Sequence, residues 1–449
     1  MTATPPSLPV SRWRRATASI GGAVLARIVG VICALVQVPL ALQLLGIEGF
    51  GAWAILGTTA GLVVLLDGGT GFALQNAVSE AAARHDSAKI GALVGAVVRL
   101  QCVAGLAFAA VGALAWTFAA PRLAPGFAGV GGNAAGGWLE FVALMALVQV
   151  AALPCFLAGR LAFALQAGWL VALHTAATNL LTLLLTLAAT AGHWPPHRFV
   201  ALACLIPLAL HVALFVWLRR RWTSPAAPAA PAGNRWRESW AWSRRGLVFW
   251  VPQAASTLHQ QLPQAVVAAI AGPAAVAPFA LLARLFNFTT MPQQSWLESI
   301  WPALTDAYAR GDTAWARVAI RRTLLVVAGG AVLPLVLSPW WAPPLLSWWT
   351  QLPGTAFPPE LLRAMSLSLA ASLMLAPVSV WLNARGRPHG QSLYGTIAIV
   401  ILIVTLPRAV AVGGAAAAPL VTLAVTAFLL VPAMVIDLAI TQRVVLRSR

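Results

Sequence analysis

The sequence predicts an all-α integral membrane protein of twelve transmembrane helices, and three observations predict it. Apolar residues make up 60% of the chain and charged ones 9%, with a mean hydropathy of +0.83. Soluble domains sit near about 45–50% and about 25%. The apolar residues also gather into runs that reach the roughly 20 residues a helix needs to cross a bilayer. Finally, the chain is written twice. Glu80, Arg84, Asp86 and Ser87 face Asp306, Arg310, Asp312 and Thr313, 226 positions later. At the same offset Gly46 faces Gly272, Trp53 faces Phe279, and Ile55 and Leu56 face Leu281 and Leu282.

The twelve runs are 20–45, 50–75, 90–116, 138–158, 169–191, 199–218, 246–271, 278–303, 323–345, 361–382, 391–412 and 419–440. Each is expected as a helix, because backbone groups in hydrocarbon must bond within their own segment. The first run is longer than a signal-peptide core and lacks a small-residue cleavage site, so it reads as retained. Runs one to six make an N-terminal six-helix bundle over 1–218, and runs seven to twelve a second bundle over 246–449. Between them, 219–245 is a basic connection with an extended Pro/Ala tract at 223–234. Its sequel, Arg235 to Trp240, reads either as an amphipathic piece on anionic lipid or as a topology signal. Two membrane modules in tandem point first to a transporter whose halves flank a pathway.

The formal net charge of +18 invites a nucleic-acid reading, and its distribution opposes one. With the N-terminus in the cytoplasm, 22 of the 29 basic residues fall on inner segments, among them Arg84, Lys89, Arg160 and seven from Arg219 to Arg245. Four fall outside (Arg122, Arg198, Arg363, Arg408) and three within spans. That asymmetry orients a membrane chain with both termini inside and requires no polyanion.

Cys33, Cys102, Cys155 and Cys204 are scattered, with no metal or redox spacing, and read as small core residues. Several of the 20 tryptophans sit at expected helix ends, as interfacial belts do. Trp340, Trp341, Trp348 and Trp349 cluster in an outer loop suited to the membrane surface. The corners at Arg84 and Arg310 are either inner gates or solvated helix ends whose local ion pairs contribute under about 1 kcal/mol.

Ionisable groups within spans are costly and usually face a cavity or a partner. Arg27 and Arg99 each lie about ten residues into their runs, roughly 15 Å of helix. Asp67 is the nearby counter-charge, and Gly68, Gly69 and Gly71 loosen its helix or let it pack closely. In the eighth run Arg284, Asn287, Met291, Gln294 and Glu298 share one face. In the seventh, Gln253, Thr257, Gln260 and Gln264 do the same, with Pro252 and Pro263 near the ends. These two stripes wall a hydrophilic cavity or glue helices together. His174, Thr178 and Thr182 form a shorter stripe, packed or proton-relaying. There is no Walker loop, no HExxH and no GxSxG, so neither ATP hydrolysis nor a known hydrolase site is expected, and no cofactor or metal is called for.

Residues 39–53 carry a proline, a Leu-Gly pair, an aromatic-Gly pair and Trp53. Asp67-Gly68-Gly69 is followed by Asn76 and Glu80, and the second half carries 276–284, Trp301-Pro302-Ala303-Leu304 and Arg310-Gly311-Asp312. In these motifs the chain resembles the polysaccharide-transporter branch of the multidrug/oligosaccharidyl-lipid/polysaccharide (MOP) exporter superfamily, the O-antigen and capsule repeat-unit flippases. The resemblance implies two six-helix bundles related by a pseudo-twofold along the membrane normal, and alternating access. It implies an undecaprenyl-pyrophosphate-linked oligosaccharide as cargo, a bacterial inner membrane, and a proton or sodium gradient as energy. Membrane lipids and enzymes of polysaccharide assembly, polymerase or glycosyltransferase, are the implied partners. Arg27, Arg99 and Arg284 are then the candidate anion contacts, and Gln260, Gln264, Asn287 and Gln294 the sugar contacts. Asp67 and Glu298 are the ion-coupling candidates. A multidrug antiporter of the same superfamily is the alternative, although the first run carries Arg27 and no acid. A polytopic glycosyltransferase or ligase is the alternative of another class, with Glu48, Glu140 and Glu360 as the acids to test.

Overall fold

The computed structural model describes residues 9–84, 86–123, 135–165, 167–222, 232–384 and 389–437. Among them there is no strand. The helices are α1 (Pro9–Val63), α2 (Thr70–Ala83), α3 (Ser87–Leu123), α4 (Ala135–Ala151), α5 (Leu157–Ala164), α6 (Gly168–Ala191) and α7 (Pro196–Trp222). They continue as α8 (Ala232–Ala309), α9 (Thr313–Val327), α10 (Leu333–Val336), α11 (Ser338–Thr350), α12 (Pro359–Ala384), α13 (His389–Gly413) and α14 (Ala417–Val425). Among the described residues nine helices are long and apolar enough to cross a membrane, and a tenth span if one bent pair is counted whole. The Pro/Ala tract up to 231, Arg385, Arg387 and the basic C-terminus lie outside the described residues, as does the side chain of Glu298.

Two of the nine are 44 and 46 residues long, Val24–Asp67 and Phe249–Gln294. Each is interrupted by one glycine, Gly46 (φ 68°, ψ 177°) and Gly272 (φ 76°, ψ −178°). Positive φ with extended ψ is open to glycine alone, because any Cβ would clash there. The two glycines that faced each other in the sequence repeat thus make the same break.

The chain divides into two compact units, Met1–Gly46 with Val63–Pro121 and Leu139–Trp250, and Ile47–Leu62 with Arg122–Trp138 and Val251–Arg449. In the first unit Leu74, Val78 and Ala81 of α2, Ile90, Val94 and Val97 of α3, and Leu157 and Leu161 of α5 form one buried cluster. In the second, Leu304, Ala307, Ala316 and Ile320 cluster with Ala384 of α12. Elsewhere apolar side chains stay exposed, Leu114 and Phe118 at 66% and Phe428 at 85%, as a lipid-facing surface requires.

Three expected helices are built differently. The run 50–75 is not one helix: it breaks at a 3-10 turn, Val64–Asp67, followed by Gly68 and Gly69, both left-handed. The run 138–158 extends to Ala164, bent by 59° where Pro154 opens a 3-10 turn. The run 323–345 ends at Val336 after a π-helical segment, Ala328–Val332. The tryptophan cluster expected in a loop is instead the helix α11. Ser338, Ala342, Leu346 and Trp349 are buried along one side, while Trp340 and Trp348 stand exposed.

Candidate functional site

In the second unit the segment after Gly46 packs on α8. Gly51 lies so close to the Pro273 carbonyl that no side chain fits there, and Gln261 lies against Gly61. This approach sets Phe50 and Trp53 edge to face, 5.8 Å between centroids, beneath Arg284. The Arg284 guanidinium carbon lies 5.3 Å from each ring centroid. Arg284 is half-buried and, among the described residues, has no acidic partner. Its neighbours on the stripe, Asn287 and Gln294, are exposed, while the interleaved Thr290 and Gln293 are buried. The polar stripe therefore faces away from the unit's packed interior. On the preceding segment Gln260 is exposed, and Gln264 is half-buried, its Nε2 donating a long 3.5 Å bond to the Ala54 carbonyl. A guanidinium over aromatic rings, with the exposed amides of Asn287 one turn on and Gln294 about three turns on, offers fixed donors to an anion and amide groups to a sugar.

The first unit holds a different cluster, at the helix break. Asp67 Oδ1 accepts from the Gly69 N–H (2.6 Å) and Oδ2 from the Gly71 N–H (3.2 Å), so the carboxylate caps α2. Thr70 Oγ1 donates to the Asp67 carbonyl and accepts from Gln101 Nε2. Gly69 abuts Gly246 too closely for any Cβ, and Trp250 Nε1 donates to the Leu65 carbonyl. The charge acting on Asp67 is neither Arg27 nor Arg99 but Arg160 of α5. Arg160 lies 3.5 Å over the ring of Phe72, which in turn stacks on Phe249.

Arg27 is half-buried on α1 between Gly22 and Gly30, the two points where α1 meets Ala172 and Asn179 of α6. Arg99 lies back along its own helix toward Gly95, with Nε buried and unpartnered. Neither joins the Asp67 cluster. In the His174 stripe, His174 meets His211 at 4.1 Å between centroids, His174 Nε2 and Thr178 Oγ1 are buried without a hydrogen-bond partner, and Thr182 bonds back to its own helix. At the corner, Arg84 pairs locally with Glu80 at 2.7 Å, both side chains exposed. That pair is a surface contact contributing under about 1 kcal/mol. No cluster of three metal-ligating side chains occurs among the described residues.

Arg160 is the residue sequence reasoning missed. Hydropathy places it on an inner connection, because the apolar run 138–158 ends two residues before it. The signal was its surroundings: 157–164 is otherwise apolar, so a bent span carrying one arginine fits the same residues.

No protein-family model matches the chain, and no curated protein does. Solved structures do. A lipid II flippase, MurJ, in an inward closed conformation matches with TM-score 0.68 at 11% identity, over 93% of this chain and 86% of that one. An inward-facing multidrug resistance MATE family transporter of the MOP superfamily matches with TM-score 0.66 at 12% identity, over 94% and 96%. A Vibrio cholerae MATE transporter matches with TM-score 0.59 at 16% identity, over 98% and 99%. The fold is that of MOP-superfamily transporters. With its apolar helices, the chain is a multi-pass membrane protein. These neighbours are transporters or flippases, not enzymes.

Proposed function

We propose that this protein is a flippase that carries an undecaprenyl-pyrophosphate-linked oligosaccharide from the inner to the outer leaflet of a bacterial inner membrane. The observation that carries the reading is Arg284: a half-buried guanidinium on Phe50 and Trp53 with no carboxylate to neutralise it among the described residues. Such a group favours an anion and repels a cation, which separates this reading from export of cationic drugs. Asn287, Gln294, Gln260 and Gln264 supply sugar contacts, and Arg27 and Arg99 further anion contacts. Asp67 and Glu298 are the candidates for coupling to protons or sodium. A lipid-linked cargo also matches what the lipid II flippase among the neighbours moves.

The proposed architecture is twelve spans in two six-helix bundles, 1–218 and 246–449. A helix of 44 residues is roughly 66 Å long, twice the roughly 30 Å hydrocarbon core. Splitting both long helices at Gly46 and Gly272, and counting the bent pair once, brings the nine helices to twelve. The charge asymmetry then sets both termini in the cytoplasm. Polymerase or glycosyltransferase enzymes of the same polysaccharide would be its partners.

The test is Arg284→Ala, alone and with Arg27→Ala, in cells that depend on this protein for surface polysaccharide. A lost charge-assisted contact of about 1.5–3 kcal/mol predicts a tenfold or greater fall in transported repeat units at equal expression. Arg284→Lys should be intermediate, since it keeps the charge but loses the planar fork. Normal polymer from a well-expressed double variant, or drug efflux in its place, would overturn the reading.

A further inference from the structure

We propose that Asp67 and Arg160 form a proton-linked anion site: Arg160 takes a phosphate-type group, and a proton on Asp67 frees it to do so. The geometry begins with Arg160. Its guanidinium carbon lies 3.5 Å from the Phe72 ring centroid, and a guanidinium held against a ring in this way keeps N–H donors for another partner. No carboxylate captures those donors among the described residues. Asp67 acts on Arg160 through space, with no ion pair between them among the described residues, while its two oxygens accept from the Gly69 and Gly71 amides. Acid and base are thus adjacent without being bonded, both half-buried and both reachable.

Few other charged or titratable groups face this pair. On α3, Gln101 is 2% exposed and leaves Oε1 without a donor, and Arg99 lies two residues before it. On α2, Gln75 Oε1 is also buried and unpartnered. The α8 segment presents Gly246, Phe249 and Trp250, with Arg245 beside them over Trp242. The 3-10 turn before α5 contributes Cys155. Asp67 is therefore the acid that balances Arg160. Protonating it leaves an uncompensated guanidinium in an apolar setting, which an anion then neutralises. Linkage is reciprocal, so an anion that binds brings a proton with it. The inference rests on the anionic-cargo reading above, but its test reads binding and not polymer output, so the two fail separately.

The experiment is calorimetric titration of the full chain in lipid nanodiscs with sulfate, whose charge is constant across the pH series. Titrations are run in buffers of different ionisation enthalpy, to count protons taken up. Sulfate binding should tighten about tenfold from mildly alkaline to acidic buffer, with net proton uptake. Asp67→Asn keeps an oxygen for the Gly69 amide and so preserves the cap; it should bind tightly throughout and take up no proton. Arg160→Gln should abolish binding, and Arg160→Lys should weaken it. Binding of sulfate in neutral nanodiscs identifies a free anion as ligand. Competition by phosphatidylglycerol nanodiscs identifies a lipid headgroup; either supports the site. Unchanged binding by Arg160→Gln, or unchanged proton uptake by Asp67→Asn, would overturn it.

Discussion

The corners that follow Ala81 and Ala307 share their capping bonds at matching positions, whereas the helices that lead into them differ. Asp86 Oδ1 accepts from the Lys89 N–H at 2.8 Å, and Asp312 Oδ1 from the Trp315 N–H at 2.9 Å. The Asp86 amide bonds the Ala81 carbonyl at 3.0 Å, and the Asp312 amide bonds the Ala307 carbonyl at 2.9 Å. All these positions differ by 226. One helix earlier the copies part. Where the first has Asp67 at a break, the second has Gln293 inside the unbroken stretch of α8 that follows Gly272. Gln293 Nε2 donates to the Leu373 carbonyl, which Pro377, four residues on, cannot satisfy. Arg284 likewise faces a small residue in the other copy, Thr58. The two copies keep what a tight corner demands and differ in their half-buried charges, an acid in one and an arginine in the other.

The largest expected effect comes from writing the second copy's residue into the first. Gly69 corresponds to Ser295, and Gly51 to Ala277. Gly69 has φ 72° and abuts Gly246; Gly51 abuts the Pro273 carbonyl. Gly69→Ser and Gly51→Ala must each displace backbone, so neither variant should yield a monodisperse folded protein on size exclusion. The reverse change, Ala277→Gly, should cost only about 1 kcal/mol. A Gly69→Ser protein with an unchanged unfolding temperature would mean that the break does not depend on glycine.

A middle effect sharpens what the copies share. Gly46→Ala and Gly272→Ala each force a side chain into glycine-only backbone, at about 1–3 kcal/mol. At Gly46 a Cβ meets nothing within 4 Å, so its cost is conformational alone. Thermal unfolding of the two variants should shift by similar amounts. A shift at one only would show that the matching breaks bear unequal strain.

The repeat made this comparison legible before any coordinates. Matching residues across a fixed offset paired Gly46 with Gly272 and Asp86 with Asp312, because corners and breaks impose local demands that a sequence must spell out. Hydropathy was a poorer guide inside the spans. It merged Leu65, Leu66 and Asp67 into a helix that Gly68 and Gly69 end, since apolar character carries no φ. It likewise stopped a helix at Ala158, although α5 carries Arg160 onward against Phe72. The face bearing Arg284, Asn287 and Gln294 was readable from 3.6-residue spacing. The rings beneath Arg284 were not, because Phe50 and Trp53 lie more than 200 positions away. Nor does a repeat boundary say how segments pack: 47–62 belongs to the first repeat yet is compact with 251–449.

The smallest effect tests whether identical caps carry identical weight. Asp86→Ala and Asp312→Ala each remove one carboxylate that serves a first-turn amide, at exposed positions where water can replace part of the bond. An N-cap loss of this kind costs about 0.5–2 kcal/mol, toward the lower end when exposed. The two variants should therefore lower stability by nearly equal amounts, and the double variant by their sum, because caps with no shared partner add. Serine at either position should recover most of the loss, whereas glutamate, one methylene too long for the cap, should not. If Asp312→Ala proved costly and Asp86→Ala silent, the buried packing beneath the corner would differ in strength: Leu304, Ala307 and Ile320 would depend on their cap, and Val78, Ala81 and Val94 would hold α2 and α3 without it.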